Sequence, residues 1–445
     1  MRTNLSPLQL ADPHILSVEK NLRACVHCGI CTATCPTYVI LGDERDGPRG
    51  RIVMMQRMFE TGGAPAAETV LHVDRCLSCL GCRTACPSSV DYARLVDTAR
   101  AHIHAHYARP LRERLLRGTI ALVMARPALV KFAMMLARMF APIASRLPGA
   151  FGAMARKSLH TPWPGLTRPP SSASRFWVAG SKAGHGEYGE ATRRVALMPG
   201  CVQQALAPEI DLAAARVLAR RGIALKKMGG AGCCGALAHH LGRRDEAKAW
   251  ARLAIEAFEK AGAVNAVLIT ATGCAAHLAD YADLFCDEPG WQARAERFAA
   301  KVRDFSELAT PRPAAAPETL RIAFHTPCSL QHGLRRGGLG EAALRAAGFE
   351  VHDIREGHLC CGSAGSYSLL QPEIAGTLRG RKLAAIAELG ADAVASANIG
   401  CLTHLSGPDA PPIVHPAELI DWAEGGPRPR ALGQAKSAVV PRKTG

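Results

Sequence analysis

The chain has no run of about 20 consecutive apolar residues, the length a helix needs to span a bilayer. The nearest stretch, "TIALVMARPALVKFAMMLARMFAP", is interrupted by Arg126, Lys131 and Arg138 and broken by Pro127. The first twenty residues hold Asp12 and Glu19 and no long apolar segment, so no export signal is read there. A reducing, cytoplasmic compartment is therefore expected, and cysteines in it serve as metal ligands or redox groups more often than as disulfides. No G-x-G-x-x-G opens a helix after a strand, which argues against a dinucleotide site; the glycine-rich "MGGAGCCG" belongs to a cysteine motif. Aromatic residues are sparse, at 5%.

Cysteine and positive charge are plentiful instead. Of 445 residues, 17 are cysteine, and the formal net charge is +16. Residues 1–100 carry 11 basic and 10 acidic groups, 101–190 carry 13 and 3, 191–425 carry 25 of each, and 426–445 carry 5 and none. The excess thus sits in one middle segment and the tail. The middle segment reads as one or two amphipathic helices, with Lys131 and Arg138 on one face and Phe132, Met135, Leu136 and Met139 around the rest. Three readings compete: helices packed on a protein core with solvated basic edges, interfacial membrane contact, and nucleic-acid binding. The first is preferred.

"CVHCGICTATCP" and "CLSCLGCRTACP" are both C-x2-C-x2-C-x3-C-P, the bacterial ferredoxin run. Three cysteines two residues apart let a tight loop wrap three corners of a cubane. The fourth, followed by proline, points to the neighbouring cluster. This assigns Cys25, Cys28, Cys31 and Cys86 to one [4Fe–4S] cluster and Cys76, Cys79, Cys82 and Cys35 to a second. Structural zinc sites usually pair C-x2-C with a distant pair, which disfavours zinc. The insert between the motifs contains "PRGRIVMMQRMFE", a helix with Ile52, Met55 and Phe59 on its core stripe. His27, inside the first loop, reads as a loop residue hydrogen-bonded locally.

The strongest internal signal is a repeat of period 127. Cys201, Cys233, Cys234, Cys274 and His277 map onto Cys328, Cys360, Cys361, Cys401 and His404. Gly235 maps onto Gly362, and each glycine lets the backbone turn so that both thiols of a vicinal pair face one point. Adjacent cysteines are too close to bridge readily. Cys201, Cys274, Cys328 and Cys401 each follow a predicted strand, where α/β units place ligand groups. Cys286 falls outside the repeat and reads as an ordinary buried thiol; His239, His240 and Tyr367 have no counterpart at the offset and read as surface residues. The expected organisation is a multi-domain α+β chain. A helical two-cluster ferredoxin domain (1–105) leads to a basic helical segment (106–160) and a linker (161–190). Two α/β cysteine-rich units (191–310 and 319–425) and a basic tail (426–445) follow.

Taken with the CCG repeats, the stretches "CVHCGICTATCPTYVILGDERDGPRGRI" and "HVDRCLSCLGCRTACPSSVDYARLVD" resemble the iron–sulfur subunit of bacterial glycolate oxidase (glycolate dehydrogenase) over roughly residues 10–425. The resemblance implies a complex in which another subunit holds FAD and oxidises glycolate to glyoxylate, beside an accessory flavoprotein-like subunit. This chain would relay electrons to a quinone or other acceptor. It also implies peripheral contact with the inner face of the cell membrane and no nucleic acid. Related subunits of lactate, glycerol 3-phosphate and heterodisulfide-reductase systems share the architecture and provide the alternative reading, including disulfide reduction at the CCG repeats. In the wider group the CCG motif ends in C-x-x-C, whereas here it ends in "CAAH" and "CLTH". Three readings follow for Cys201, Cys233, Cys234, Cys274 and His277, and for Cys328, Cys360, Cys361, Cys401 and His404: a further iron–sulfur or metal centre, thiol redox chemistry, or structure alone. No catalytic site for glycolate is read in this chain.

Overall fold

The computed structural model describes residues 2–139 and 193–433. The predicted linker at 161–190 and most of the basic tail lie outside these residues, as does the side chain of Arg138.

The amino-terminal part is helical. Helices Pro13–Ala24, Pro48–Thr61, Ala67–Asp74 and Tyr92–His106 pack around Val18, Leu22, Met55, Val73, Leu95 and Ile103, all fully buried or nearly so. Proline opens two of them, where its missing N–H costs nothing, and Asp12 caps the first by accepting from the His14 N–H. Ile52, Met55 and Phe59 face this core, as their spacing predicts.

Two parallel four-stranded sheets follow. In the first, β1 (Arg193–Leu197), β2 (Ile223–Lys227), β3 (Ala266–Ile269) and β4 (Val302–Asp304) lie in the order β2-β1-β3-β4. In the second, β5 (Arg321–Phe324), β6 (Glu350–Asp353), β7 (Ala393–Ala395) and β8 (Ile413–Val414) lie in the order β6-β5-β7-β8. Parallel strands are covered on both faces and so read as continuous apolar runs; "AVLI" of β3 is buried throughout. The chain is therefore mixed α/β: a helical ferredoxin-type domain, then two repeats with parallel sheets. The 127-residue offset holds through the helix that follows the third strand and then fails. Cys286, before β4, is offset onto Ile413, the first residue of β8.

The repeats share one core. Val195, Leu197 and Leu268 of the first pack with Ile322, Phe324, Ala393 and Ala395 of the second. Asp421, 1% exposed, receives Arg216 and Arg220 across this junction at 2.6 and 2.9 Å.

The basic segment forms helices Leu111–Met124 and Pro127–Met139. Among the described residues no single helix is long and apolar enough to cross a membrane. These two pass such a test only as a pair, and they bend by 115°. Ile120, Ala121, Ala125 and Val130 are buried, whereas Leu111, Leu115, Leu122, Phe132, Met135 and Met139 are exposed. Among the described residues the segment thus packs on the protein along one side and carries exposed apolar residues on the other.

Candidate iron–sulfur and cysteine-rich sites

The two ferredoxin loops turn by the same device. His27 and Gly29 in the first, and Ser78 and Leu80 in the second, have φ between +52° and +83°. These positions are equivalent, two and four residues after the leading cysteine. Left-handed residues at alternate positions curl the chain so that the thiols between them face inward. Leu80 bears that strain without glycine's freedom.

Each loop faces a cavity. One is lined by Cys25, Cys28, Cys31 and Cys86, together with Ile52 and Tyr92. The other is lined by Cys35, Cys76, Cys79 and Cys82, together with Arg51 and Tyr92. Cys82 and Tyr92 line both, so the cavities adjoin. Burial, then Cys25, Cys86 and Cys28, pushes the Cys31 thiol up to about 11. Burial also raises Cys79 and Cys82 well above the usual thiol value. Thiols raised in this way ionise once a cation neutralises them, and four sulfur donors round one apolar cavity fit an iron–sulfur cluster. The Ser78 and Val90 N–H groups donate to the sulfurs of Cys76 and Cys86, both at 3.5 Å. The buried hydroxyl of Tyr92 has no hydrogen-bond partner.

A charged network flanks the second cavity. Arg51, 1% exposed, donates to the His72 carbonyl at 2.7 Å and to Thr37 Oγ1 at 3.0 Å, and one of its nitrogens lies 3.8 Å from the Cys35 sulfur. Asp46 holds Arg51, His72 and Arg75 at 3.3, 2.9 and 2.8 Å. Asp46 and Arg51 lie within "DGPRGRI", so the sequence displayed them without showing that they meet.

In the first repeat the sulfurs of Cys201 and Cys233 are 3.4 Å apart, and Cys234 pairs with Cys274. Hydrogen bonds from Cys201 and Cys234, with the Gly235 N–H at 3.4 Å, pull the Cys233 thiol down to about 3. The second repeat is built alike. Cys328 and Cys360 are 3.9 Å apart, Cys361 and Cys401 3.6 Å, and the Gly362 N–H donates to Cys360 at 3.4 Å. Hydrogen bonds from Cys360 and Cys401 hold the Cys361 thiol well below its usual value. Gly235 and Gly362 have φ of +81° and +93°, as the turn at each vicinal pair requires.

The two motif-ending histidines do not join these sulfurs in any cluster of three ligand atoms among the described residues. The His277 ring lies 5.0 Å from that of His239, 6.2 Å from that of His240 and 5.3 Å from that of Tyr281. Its buried Nε2 has no hydrogen-bond partner. His404 Nε2 donates to the Ala375 carbonyl at 3.3 Å. The second repeat brings a different histidine to its sulfurs. Ligand atoms of His325, Cys361 and Cys401 lie within 4.8 Å of one another.

Expectations for five single residues need correction. His239 and His240 are not plain surface residues, because both face Asp97 of the ferredoxin domain, at 4.0 and 3.4 Å. Tyr367 is 6% exposed and donates to the Arg75 carbonyl at 2.9 Å, since the second repeat docks there. Cys286 is half-buried, 3.2 Å from His14 Nδ1. His27 has no partner for ring Nε2; only its carbonyl is engaged, by Arg49 at 3.3 Å.

The second repeat sits directly on the second ferredoxin loop. Leu77 and Cys79 pack with Cys328, Cys360 and Tyr367. His332 Nδ1 meets Thr84 Oγ1 at 2.8 Å. After burial, the Cys328 thiol is the main reason the Cys79 thiol is raised, which places the two side by side.

Comparison with known proteins agrees with this layout. The family model described as "4Fe-4S dicluster domain" matches residues 24–91, and that described as "Cysteine-rich domain" matches 195–279 and 322–406. The glycolate oxidase iron-sulfur subunit of Escherichia coli (strain K12) is 36% identical over 428 residues, covering 95% of this chain and 99% of that protein. The probable glycolate oxidase iron-sulfur subunit of Bacillus subtilis (strain 168) is 29% identical, covering 87% of this chain and 89% of that one. Lactate utilization protein A of Geobacillus kaustophilus (strain HTA426) is 30% identical but covers only 48% of this chain, with 90% of its own length. With both cysteine-rich repeats and the dicluster domain matched in order, the chain belongs to the family of glycolate oxidase iron–sulfur subunits.

Proposed function

We propose that this chain is the electron-carrying subunit of a flavin-dependent glycolate oxidase. On this reading it passes electrons from an FAD-bearing partner, which oxidises glycolate to glyoxylate, towards a quinone or other acceptor. The observation that carries the reading is the pair of adjoining four-cysteine cavities in a chain that matches such a subunit over 95% of its length. Iron–sulfur clusters supply one-electron transfer, which a flavin accepting a hydride needs in order to discharge its two electrons singly. On this reading Cys25, Cys28, Cys31 and Cys86 hold one [4Fe–4S] cluster, and Cys35, Cys76, Cys79 and Cys82 the other. Arg51 and the backbone N–H groups of Ser78 and Val90 favour the reduced, more negative state of whatever these thiolates bind. At least one of the two cysteine-rich repeats binds further metal through its paired sulfurs. The exposed apolar side of helices Leu111–Met124 and Pro127–Met139, with its basic residues, supports peripheral seating on the inner face of the membrane.

The test is reconstitution under anaerobic conditions. The purified chain alone should not turn over glycolate with an artificial acceptor, and the complex with its flavoprotein partner should. Cys82→Ser, which alters both cavities, should cut acceptor reduction by the complex at least tenfold while glycolate still reduces the flavin. Turnover by the isolated chain, or full acceptor reduction by the variant, would overturn the reading.

A further inference from the structure

The second repeat carries a histidine that the duplication does not explain. His325 follows the last residue of β5, and the equivalent position in the first repeat is Met198. Both side chains are buried, at 2% and 1% exposure. Neither ring nitrogen of His325 finds an oxygen or nitrogen partner; what the ring faces is the Cys361 sulfur, whose thiol it helps to hold low. A buried imidazole whose nearest polar neighbour is a sulfur, a weak hydrogen-bond partner, is poorly satisfied by protein atoms alone and suits a metal bond instead. The cysteines beside it are poised to share such a bond. Cys361 and Cys401 are 3.6 Å apart, close to the edge of about 3.8 Å that two sulfurs span on a tetrahedral ion with 2.3 Å bonds. Cys328 and Cys360, 3.9 Å apart, adjoin them. Asn398 Nδ2 donates to Cys401 at 3.5 Å, orienting the sulfur from outside the cluster.

Location decides which metal suits this set. Thiolate-rich donors suit iron–sulfur centres, zinc or copper(I). Cys328 packs against Cys79, a lining residue of the second ferredoxin cavity, so a centre here lies next to an electron carrier. The first repeat lacks both features. It has Met198 for His325, and its histidines His239, His240 and His277 gather near Asp97 and line neither ferredoxin cavity, although His240 shares a third cavity with Cys76 and Ser78.

We propose that the second repeat holds an iron–sulfur centre for which His325 supplies the nitrogen ligand beside Cys361, Cys401, Cys328 and Cys360, and that the first repeat holds none. This rests on the reading that the repeat cysteines bind metal, and it assigns the histidine ligand to the strand end rather than to the C-x-x-H ending. The test uses the whole complex, purified anaerobically. Its readouts are iron, zinc and sulfide per chain, and the 14N hyperfine coupling in electron paramagnetic resonance. Wild type should carry more than about eight irons, the content of two cubanes. Cys361→Ser with Cys401→Ser should lose the excess, and Cys233→Ser with Cys274→Ser should keep it. His325→Ala should lose the excess or shift its signal, and His404→Ala should not. Should the alanine variant fail to fold, His325→Cys should retain iron and lose the 14N coupling. About eight irons in wild type would overturn the proposal together with the metal reading of the repeats. Excess iron with unchanged 14N coupling in His325→Cys would overturn the ligand assignment and leave the metal reading standing. Zinc in place of iron, or loss of the excess only from the first-repeat variant, would overturn the proposal as stated.

Discussion

The two cysteine-rich repeats have one strand order, one arrangement of paired thiols and one glycine turn, yet they meet the ferredoxin domain in different ways. The second lays Cys328 and Cys360 against the loop that holds Cys79. The first offers His239 and His240 to Asp97 on helix Tyr92–His106. Duplication therefore supplies a scaffold that gathers four sulfurs after the strand ends, and docking decides which part of the ferredoxin domain each set faces.

The largest expected difference between the repeats lies in their glycine turns. A Cβ at Gly362 would sit 2.6 Å from the Ala375 carbonyl oxygen and 3.1 Å from its Cα, with φ at +93°. One at Gly235 would sit 3.0 Å from the Ala247 carbonyl oxygen, with φ at +81°. Both carry left-handed strain, but only the former demands that the backbone of a buried helix retreat. Gly362→Ala should destabilise by roughly 4 kcal/mol and Gly235→Ala by roughly 2 kcal/mol, measured by denaturant unfolding of the described domains. Equal costs would mean that the two turns are interchangeable.

The sequence displayed the resemblances between the repeats more readily than their differences. Spacing alone pairs Cys86 with the first loop and Cys35 with the second, because a short loop has few ways to wrap a cubane. The 127-residue period exposes eight cysteines at once. His325 was hidden by the same method, since a search for matching positions discards a residue that has no match. The signal was present in "FHTPC" set beside "LMPGC", a strand end that gains a histidine in one copy only. Asp97 and His239 could not be joined from sequence, because their contact is tertiary and crosses a domain boundary. Tyr367 read as surface for the same reason: what buries it is another domain. The helices at 111–139 are legible as amphipathic, but only the fold shows which of their apolar residues stay exposed among the described residues.

Interface strength offers a second way to separate the repeats. Leu77, 6% exposed, is the apolar residue of the second loop that packs against Cys360, Tyr367 and Ile374. Leu77→Ala should cost about 3 kcal/mol, through lost burial and the cavity left behind. Its effect should be local. Hydrogen exchange should quicken in the second ferredoxin loop and around residues 360–378, and stay unchanged around Cys233 and Cys234. Faster exchange spread equally over both repeats would show that they move as one body and that docking does not distinguish them.

The first repeat's contact should answer to acid, and this is the smallest effect. Burial, opposed in part by Asp97, lowers His239 to about 4 from 6.5. His240, Arg244 and Arg100 add positive charge around it, and Asp97 is held low by His239, His240 and Arg100 once burial is set aside. In the fold His239 is neutral through the range in which the unfolded chain binds a proton. The unfolded state therefore binds more protons between about pH 6.5 and 4, and stability rises with pH there and is lost as pH falls. Between pH 7 and pH 6 the loss from this one group should be below about 1 kcal/mol. His332, in the second repeat's interface, is also lowered by burial and adds a loss of the same sign. The informative quantity is therefore the difference between wild type and His239→Gln. The variant should unfold with a shallower pH dependence over this range, and exchange around Ala236–His240 should lose its acid sensitivity. An unchanged slope would mean that His239 is already protonated in the fold and that Asp97 grips the first repeat as an ion pair instead.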